Sequence, residues 1–209
     1  MLPALTLALS LAAPPTLHQT VQRMQAFYER IHDLHADFAQ TFVNPSFHKT
    51  LHSQGTLEFK KPGMIRFDYA QPEPKQFVVK GDRITTFIPA AQQAMVGSFQ
   101  ADQLSASVTF LWGKGNLEKE FDVAPSDRTD LAPGIALLLT PKKADPRFEK
   151  IYFVVDPKTH AVLESLVIDG AGDENRFDFT AIHANQGLPD RDFELALPAG
   201  TQIVKMGQQ

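Results

Sequence analysis

The sequence contains no cysteine. Disulfides, thiolate metal sites, cysteine nucleophiles and lipid attachment through an N-terminal cysteine are therefore excluded. Positive charge is also in short supply, because 20 Lys and Arg against 24 Asp and Glu leave a net charge of −4. A chain without a global positive field has little means of neutralising phosphates, which argues against nucleic acid as a partner.

Polar aromatic side chains are scarce, with 3 Tyr and 1 Trp beside 16 Phe. Phenylalanine has no polar group to satisfy when it is buried, whereas tyrosine and tryptophan do. The skew suits apolar surface that must stay dry, and it suits an ordinary Phe-rich core equally well.

No apolar run reaches the ~20 residues that a membrane-spanning helix needs. The first run, residues 1–13, ends in small residues before Pro14 and Pro15, although no basic residue precedes it. This pattern predicts a cleaved secretory signal peptide at 1–13. Since no internal repeat or linker follows, we expect an exported protein with a single domain over residues 16–206.

Residues 16–32 carry apolar side chains at spacings of three and four, which predicts one amphipathic helix capped by Thr16. After the helix the apolar period changes to two, and Gly and Pro turn signals separate the runs. Residues 102–112 are apolar without alternation and are expected to form short helices. The predicted strands are 34–43, 49–60, 64–69, 75–80, 83–88, 93–98, 117–123, 134–140, 149–156, 162–169 and 175–183.

Many short strands with one apolar and one polar face are typical of antiparallel sheets that curl into a barrel or half-barrel. The predicted fold is α+β and mainly β. It consists of a strongly curved antiparallel sheet of about 11 strands forming an incomplete barrel, covered by the N-terminal helix and short lid helices.

Catalytic signatures are missing from the sequence, including G-x-S-x-G, P-loop, G-x-G-x-x-G and H-E-x-x-H motifs. Two histidine pairs, His32 with His35 and His48 with His52, lack an evident third metal ligand, so solvated surface histidines are the preferred interpretation. Acid pairs in turn-like sequence, at 190 and 192 and at 169 and 173, are interpreted as solvated turn carboxylates. The sequence predicts no catalytic residue, metal or cofactor.

From Thr16 almost to its C-terminus the chain resembles the periplasmic lipoprotein-carrier family (LolA-type). Each motif is weak alone, and their fixed order makes the set specific. The matching segments are 34–40 (LHADFAQ), 55–63 (GTLEFKKPG), 65–69 (IRFDY) with Pro72, 81–82 with Pro89, 110–113 (FLWG), 137–142 (LLLTPK), 155–156, 166–169, 175–177 (NRF), and Phe193 with 198–200 (PAG).

The resemblance implies an incomplete barrel closed by helices around an apolar cavity, in a monomeric periplasmic protein that is not an enzyme. The implied partners are acylated lipoproteins, an inner-membrane ABC lipoprotein exporter and an outer-membrane lipoprotein acceptor. An exposed acyl chain costs about 0.8 kcal/mol per CH₂ in water, so such a carrier needs a covered apolar site. The predicted lining of that site is Phe38, Phe59, Ile65, Phe67, Phe77, Val79, Phe87, Leu137, Leu139, Phe153, Phe177 and Phe179.

Two departures from the family pattern affect this site. Lys61 stands where well-studied members carry an arginine that contacts the helical lid, and we expect Lys61 to make the lid contact with fewer donors. Thr85 and Phe87 stand where the family often has Trp and Tyr, which predicts a differently shaped interior. Two alternatives stay open: a periplasmic lipid- or glycolipid-binding or sensor module on the same fold, and a hydrolase acting on envelope lipids or glycans.

Overall fold

The computed structural model describes residues 15–99, 116–145 and 147–206. The predicted signal peptide at 1–13, the helices expected at 102–112 and the 110–113 motif lie outside these residues. None of the helices in this part of the chain has the length and apolarity that crossing a bilayer requires.

The N-terminal helix α1 spans Leu17–Arg30, which confirms the helix predicted from the apolar spacing. The Thr16 hydroxyl accepts a hydrogen bond from the backbone N–H of Gln19, and the backbone N–H of Thr16 donates to the Gln19 side chain at 3.0 Å. This capping box satisfies two of the N–H groups that a helix start leaves unpaired. Val21 and Met24 lie on its buried face.

Most of the other described residues form strands. In many of these strands apolar residues alternate with polar ones, which suits a sheet with one buried face, whereas the strand Lys150–Val155 is buried on both faces. A helical turn, α2 (Leu117–Glu120), precedes the seventh strand. The strands are β1 (Asp33–Asn44), β2 (Lys49–Lys60), β3 (Met64–Gln71), β4 (Lys75–Lys80), β5 (Arg83–Ile88), β6 (Gln93–Ser98), β7 (Phe121–Pro125), β8 (Ile135–Pro141), β9 (Lys150–Val155), β10 (Val162–Ile168), β11 (Glu174–Ala184) and β12 (Gln202–Lys205).

The twelve strands of the described residues belong to one sheet with the order β12-β6-β5-β4-β3-β2-β1-β11-β10-β9-β8-β7. Neighbouring strands are antiparallel except for β12, which pairs with β6 in parallel. The sheet curves around α1 and does not close, because β12 and β7 form its two ends. The predicted incomplete barrel, mainly antiparallel, is confirmed.

The structure differs from the predicted strands in two places. The strand expected at 117–123 begins as α2, because the Asn116 side chain accepts from the N–H of Lys119 at 3.0 Å and starts a helical turn there. Strand β12 was missed altogether. It pairs only with the distant β6, so its four residues carry no local hairpin signal.

The chain between β11 and β12 crosses the convex side of the sheet. Phe193 is buried against Met64 and Val78 there. Ion pairs flank this contact, since Lys60 Nζ lies 2.5 Å from a carboxylate oxygen of Asp190. The crossing segment therefore covers part of the convex face of β3 and β4. Beside it, a cleft of about 400 Å³ stays open, lined by charged residues as well as apolar ones, including Lys80, Arg83 and Glu194.

On the other half of the convex face, a buried carboxylate holds the loop before β8. Glu164 is only 1% exposed. One of its oxygens accepts from the backbone N–H of Ala132 at 2.6 Å, and the other lies 3.1 Å from the Arg176 guanidinium. Burial is the main reason that the pKa of Glu164 is raised. The same arginine also contacts Asp130.

We expect this network to make part of the stability dependent on acid pH. The guanidinium of Arg128, 2.8 Å from Asp130, and then that of Arg176 hold the pKa of Asp130 below its ordinary value. The stabilisation is present above the ordinary carboxyl pKa of about 3.9 and is lost as the pH falls through the lower folded-state pKa. When the pH is lowered from about 6 to about 3, the thermal unfolding midpoint should therefore fall less in Asp130→Asn than in wild type.

The matched control is Asp178→Asn, since burial raises the pKa of Asp178 and its contribution has the opposite sign. The unfolding midpoints are measured by circular dichroism. If the midpoint falls equally between about pH 6 and about pH 3 in wild type and in Asp130→Asn, Asp130 is not a source of the pH dependence.

Candidate functional site

The concave face carries a continuous apolar surface whose positions are fixed by strand register. Phe59 lies opposite Ile65 across β2 and β3, and Ile65 lies opposite Val79 across β3 and β4. At the other half of the barrel Leu137 pairs with Phe153. Since alternate residues of a strand share a face, the same register places the remaining predicted residues, Phe38, Phe67, Phe77, Leu139, Phe177 and Phe179, on this face.

Phe87 is the predicted lining residue that the register does not place there. It lies opposite Gln76 on β4 and Ala94 on β6, whereas Phe77 and Val79 lie opposite the residues at 86 and 84. Phe87 is therefore on the convex side of the sheet, where it is buried. The prediction was wrong because both faces of β5 carry a large apolar residue, Ile84 on one and Phe87 on the other, so that its alternation does not reveal its phase.

An aromatic cluster occupies the middle of the concave face. The ring of Phe38 contacts Phe67, Tyr69 and Phe177 edge-on, with centroid separations of 5.7, 5.1 and 5.5 Å. Phe77 extends the cluster at 6.1 Å from Phe67. Edge-on contacts are a favourable arrangement for aromatic rings. Burial raises the pKa of the Tyr69 phenol. Apart from Phe38 the cluster members are only partly buried, so this surface retains apolar area for a ligand.

Helix α1 covers one end of the concave face. The Tyr28 hydroxyl accepts a hydrogen bond from the backbone N–H of Val162 at 3.0 Å, and burial raises the pKa of this phenol. Under the helix a cavity of about 20 Å³ remains. Such a volume fits one water molecule and no acyl chain. The residues around the cavity are Tyr28, Leu34, Ala36, Leu57, Phe59, Val162, Phe179 and Ile182.

Lys61, predicted as the lid contact, is in the turn between β2 and β3 and lies beside the C-terminal end of α1. Its ammonium group donates to the backbone carbonyl oxygens of Tyr28 at 2.5 Å and Glu29 at 3.1 Å. The last carbonyl groups of a helix generally accept from groups outside it, and a cation at a helix C-terminus is favourable. Partial burial lowers the pKa of Lys61, against the opposing effect of the Glu29 carboxylate.

Several lining residues were missed in the sequence, including Leu57 and Tyr69. Both carried a usable signal, since Leu57 has the same strand phase as Phe59, and Tyr69 has the same phase as Phe67. Tyr28 belongs to the apolar stripe of the predicted helix. The sequence therefore predicted that it lies on the buried face of α1. Its contact with Val162 depends on the tertiary fold and could not be predicted in this way.

The polar groups considered in the sequence are dispersed. His35 lies 3.1 Å from Glu58, and His52 lies 3.1 Å from the Thr41 hydroxyl. Within the described ranges, no three His, Asp or Glu side chains are grouped so that they could hold a metal ion. The Asp169 carboxylate accepts from backbone N–H groups of its own turn at 2.9 Å.

Proteins of known sequence and structure resemble the chain over most of its length. An outer-membrane lipoprotein carrier protein from Bordetella avium (strain 197N) is 29% identical over 187 residues, which cover 88% of this chain and 86% of the relative. The protein of the same name from Dechloromonas aromatica (strain RCB) is 28% identical over 185 residues, again 88% and 86% of the two chains. The solved structure of an uncharacterized conserved protein from Thermus thermophilus aligns with a TM-score of 0.57 at 11% identity, over 90% of this chain and 98% of that one, and supports the fold alone.

The profile of one protein family extends over nearly the whole described domain. The family described as "Outer membrane lipoprotein carrier protein LolA" matches residues 29–196, from the end of α1 to the segment that crosses the convex face. This match confirms the resemblance that the ordered motifs indicated. The chain belongs to the LolA family of outer membrane lipoprotein carrier proteins.

Proposed function

We propose that this protein is a periplasmic carrier that binds the acyl chains of lipoproteins on the concave face of its sheet, and that it performs no catalysis. The observation that carries the proposal is the apolar concave surface, which is partly buried in its aromatic centre and covered at one end by α1. The family membership and the names of the relatives agree with it. The signal peptide proposed at 1–13 would deliver the protein to the periplasm.

We infer that α1 moves on binding, because the cavity that the described residues form under it has a volume of about 20 Å³. Each methylene group removed from water contributes about 0.8 kcal/mol. An acyl chain therefore supplies ample free energy to displace a 14-residue helix, and a ligand shifts such an equilibrium by its differential affinity for the open state. Since closing α1 offsets part of that binding energy, the carrier can release its cargo.

Transfer in this scheme needs no chemistry in the carrier. An inner-membrane ABC exporter would load the lipoprotein, and an outer-membrane acceptor with higher affinity for the acyl chains would receive it. The carrier would act as a monomer whose affinity lies between those of the two partners. The direction of transfer then follows from the affinity difference.

Lys61 is proposed to hold α1 in the closed position through the two carbonyl contacts. Lys61→Met keeps the length of the side chain and removes its donors, so amides of the last turn of α1 should exchange with deuterium about fivefold faster, as expected for the loss of about 1 kcal/mol.

Lys61→Arg is the matched control, since arginine retains the charge and can donate to both carbonyls. If Lys61→Met is folded by circular dichroism and its α1 amides exchange as slowly as those of wild type, Lys61 does not hold α1 in the closed position.

The direct experiment adds purified protein to spheroplasts that carry a labelled outer-membrane lipoprotein. The carrier proposal expects the label in the soluble fraction, in a complex with the protein. If the protein instead retains phospholipid by native mass spectrometry and releases no lipoprotein, the proposal fails in favour of a lipid-binding or sensor module.

A further inference from the structure

The wall of the barrel is split between β10 and β11 at the end covered by α1. Their ladder runs from Ile168↔Glu174 to Glu164↔Asp178 and stops there. Beyond this point β11 continues to Ala184 along β1 only. The backbone N–H of Val162, at the start of β10, donates to the Tyr28 hydroxyl of α1.

Irregularities in both strands coincide with the split. In β10 the pairing with β9 skips Leu163, between Val162 and Glu164. In β11 the pairing with β1 shifts near Ala181, which has a positive φ of 47°. A bulge bends its strand and ends regular pairing locally. Both irregularities lie in the part of β10 and β11 where the ladder between these two strands has already ended.

A cleft of about 550 Å³ lies at this split. Leu163 and Ala161 line it from the β10 side, Phe179 and Ile182 line it from the β11 side, and Phe27 of α1 is at its edge. Thr159 and Thr180 lie at its exposed rim. Asp156 also lines the cleft, and its carboxylate accepts hydrogen bonds from the backbone N–H groups of Lys158 and Thr159. An apolar cleft of this size with a polar rim is typical of a small-ligand site.

The cleft adjoins the interior of the barrel. Phe179 and Ile182 line both the cleft and the cavity of about 20 Å³ under α1. Neither side chain is fully buried. The partition between the two spaces is therefore made of side chains and not of paired backbone, so movement of α1 with Phe27 and Tyr28 would join them.

We propose that the split between β10 and β11 holds one alkyl chain of the cargo, which runs from the cleft past Phe179 and Ile182 into the interior. This inference rests on the proposed function and assigns a second place to the bound lipid, in the wall of the barrel. The exposed rim leaves an exit to solvent for whatever the alkyl chain is attached to.

Photo-crosslinking locates the chain directly. The probe is a synthetic dipalmitoylated lipopeptide with a diazirine in one palmitoyl chain, and the labelled residues are mapped by mass spectrometry. The proposal expects adducts on Leu163 and on 179–184 in addition to interior residues. Adducts confined to the aromatic cluster around Phe67 would overturn it and leave the proposed function standing, whereas a probe that does not bind at all would overturn both.

Thr180→Trp and Thr159→Trp narrow the cleft from its two exposed sides without altering the core. Thr50→Trp adds the same bulk to an exposed position of β2 and is the matched control. Excluding two methylene groups from an apolar site reduces affinity about tenfold. We expect this loss in both cleft variants and unchanged affinity in the control, and equal affinity in all three would contradict the site.

Discussion

Phe67→Asp is expected to reduce the affinity for a dipalmitoylated lipopeptide about a hundredfold or more. An acyl chain bound on the concave face would cover the new aspartate, and burying a carboxylate without a partner is costly. Phe67 lies at the centre of the aromatic cluster, with centroids 5.7 Å from Phe38 and 6.1 Å from Phe177. Its ring is only partly buried in the closed protein. The substitution should therefore affect the lipid-bound state more strongly than the free one. Fluorescence titration with a labelled lipopeptide measures the effect.

Phe47→Asp makes the same chemical change at a phenylalanine that is 81% exposed, in the turn between β1 and β2. It should bind lipopeptide as wild type does. Equal affinity of Phe67→Asp and Phe47→Asp, with both proteins folded at the temperature of the titration, would exclude the concave face as the lipid site.

Gly55→Ala is expected to destabilise the fold by roughly 3 kcal/mol, since overpacking at a fixed backbone contact is costly. A Cβ at Gly55 would lie 2.0 Å from the backbone oxygen of Asp68 and 3.0 Å from the ring of Phe38. The glycine thus lets β2 and β3 approach beneath the aromatic cluster. For a domain of this size, the thermal unfolding midpoint should fall by about 6–12 °C.

Gly170→Ala is the matched control, because a Cβ there would meet no atom within 4 Å. Its unfolding midpoint should remain within about 2 °C of wild type. Similar unfolding midpoints for the two variants would contradict the prediction, because β2 and β3 could then separate at Gly55 without a loss of stability.

The sequence contains the phase of a strand where one of its faces is clearly apolar. The alternation in β2 and β3 puts Phe59 and Ile65 on the concave face, where the register has them, and their contact with lipid is a proposal. Phe87 lies on the other face, although its phase was encoded in the two-residue turn after Lys80. Since Lys80 pairs with Arg83 across that turn, Phe87 must lie opposite Gln76, so counting register outward from the turn would have placed it on the convex side.

Other features depend on contacts between distant parts of the chain. The split in the wall arises at Leu163 and Ala181, and neither residue is of a type that marks a bulge in a sequence. Strand β12 pairs with β6, which is more than 100 residues earlier in the chain, after a segment that packs on the convex face through Phe193. Local periodicity contains no information about either.

The most direct test of the central claim is the distance between α1 and the sheet with and without lipid. The chain has no native cysteine, so spin labels can be attached at Gln22→Cys on α1 and Gln54→Cys on β2, both exposed positions. Double electron–electron resonance should report a longer distance once a dipalmitoylated lipopeptide saturates the protein. Saturated binding with an unchanged distance would contradict the account, because lipid would then occupy the protein without displacing the helix.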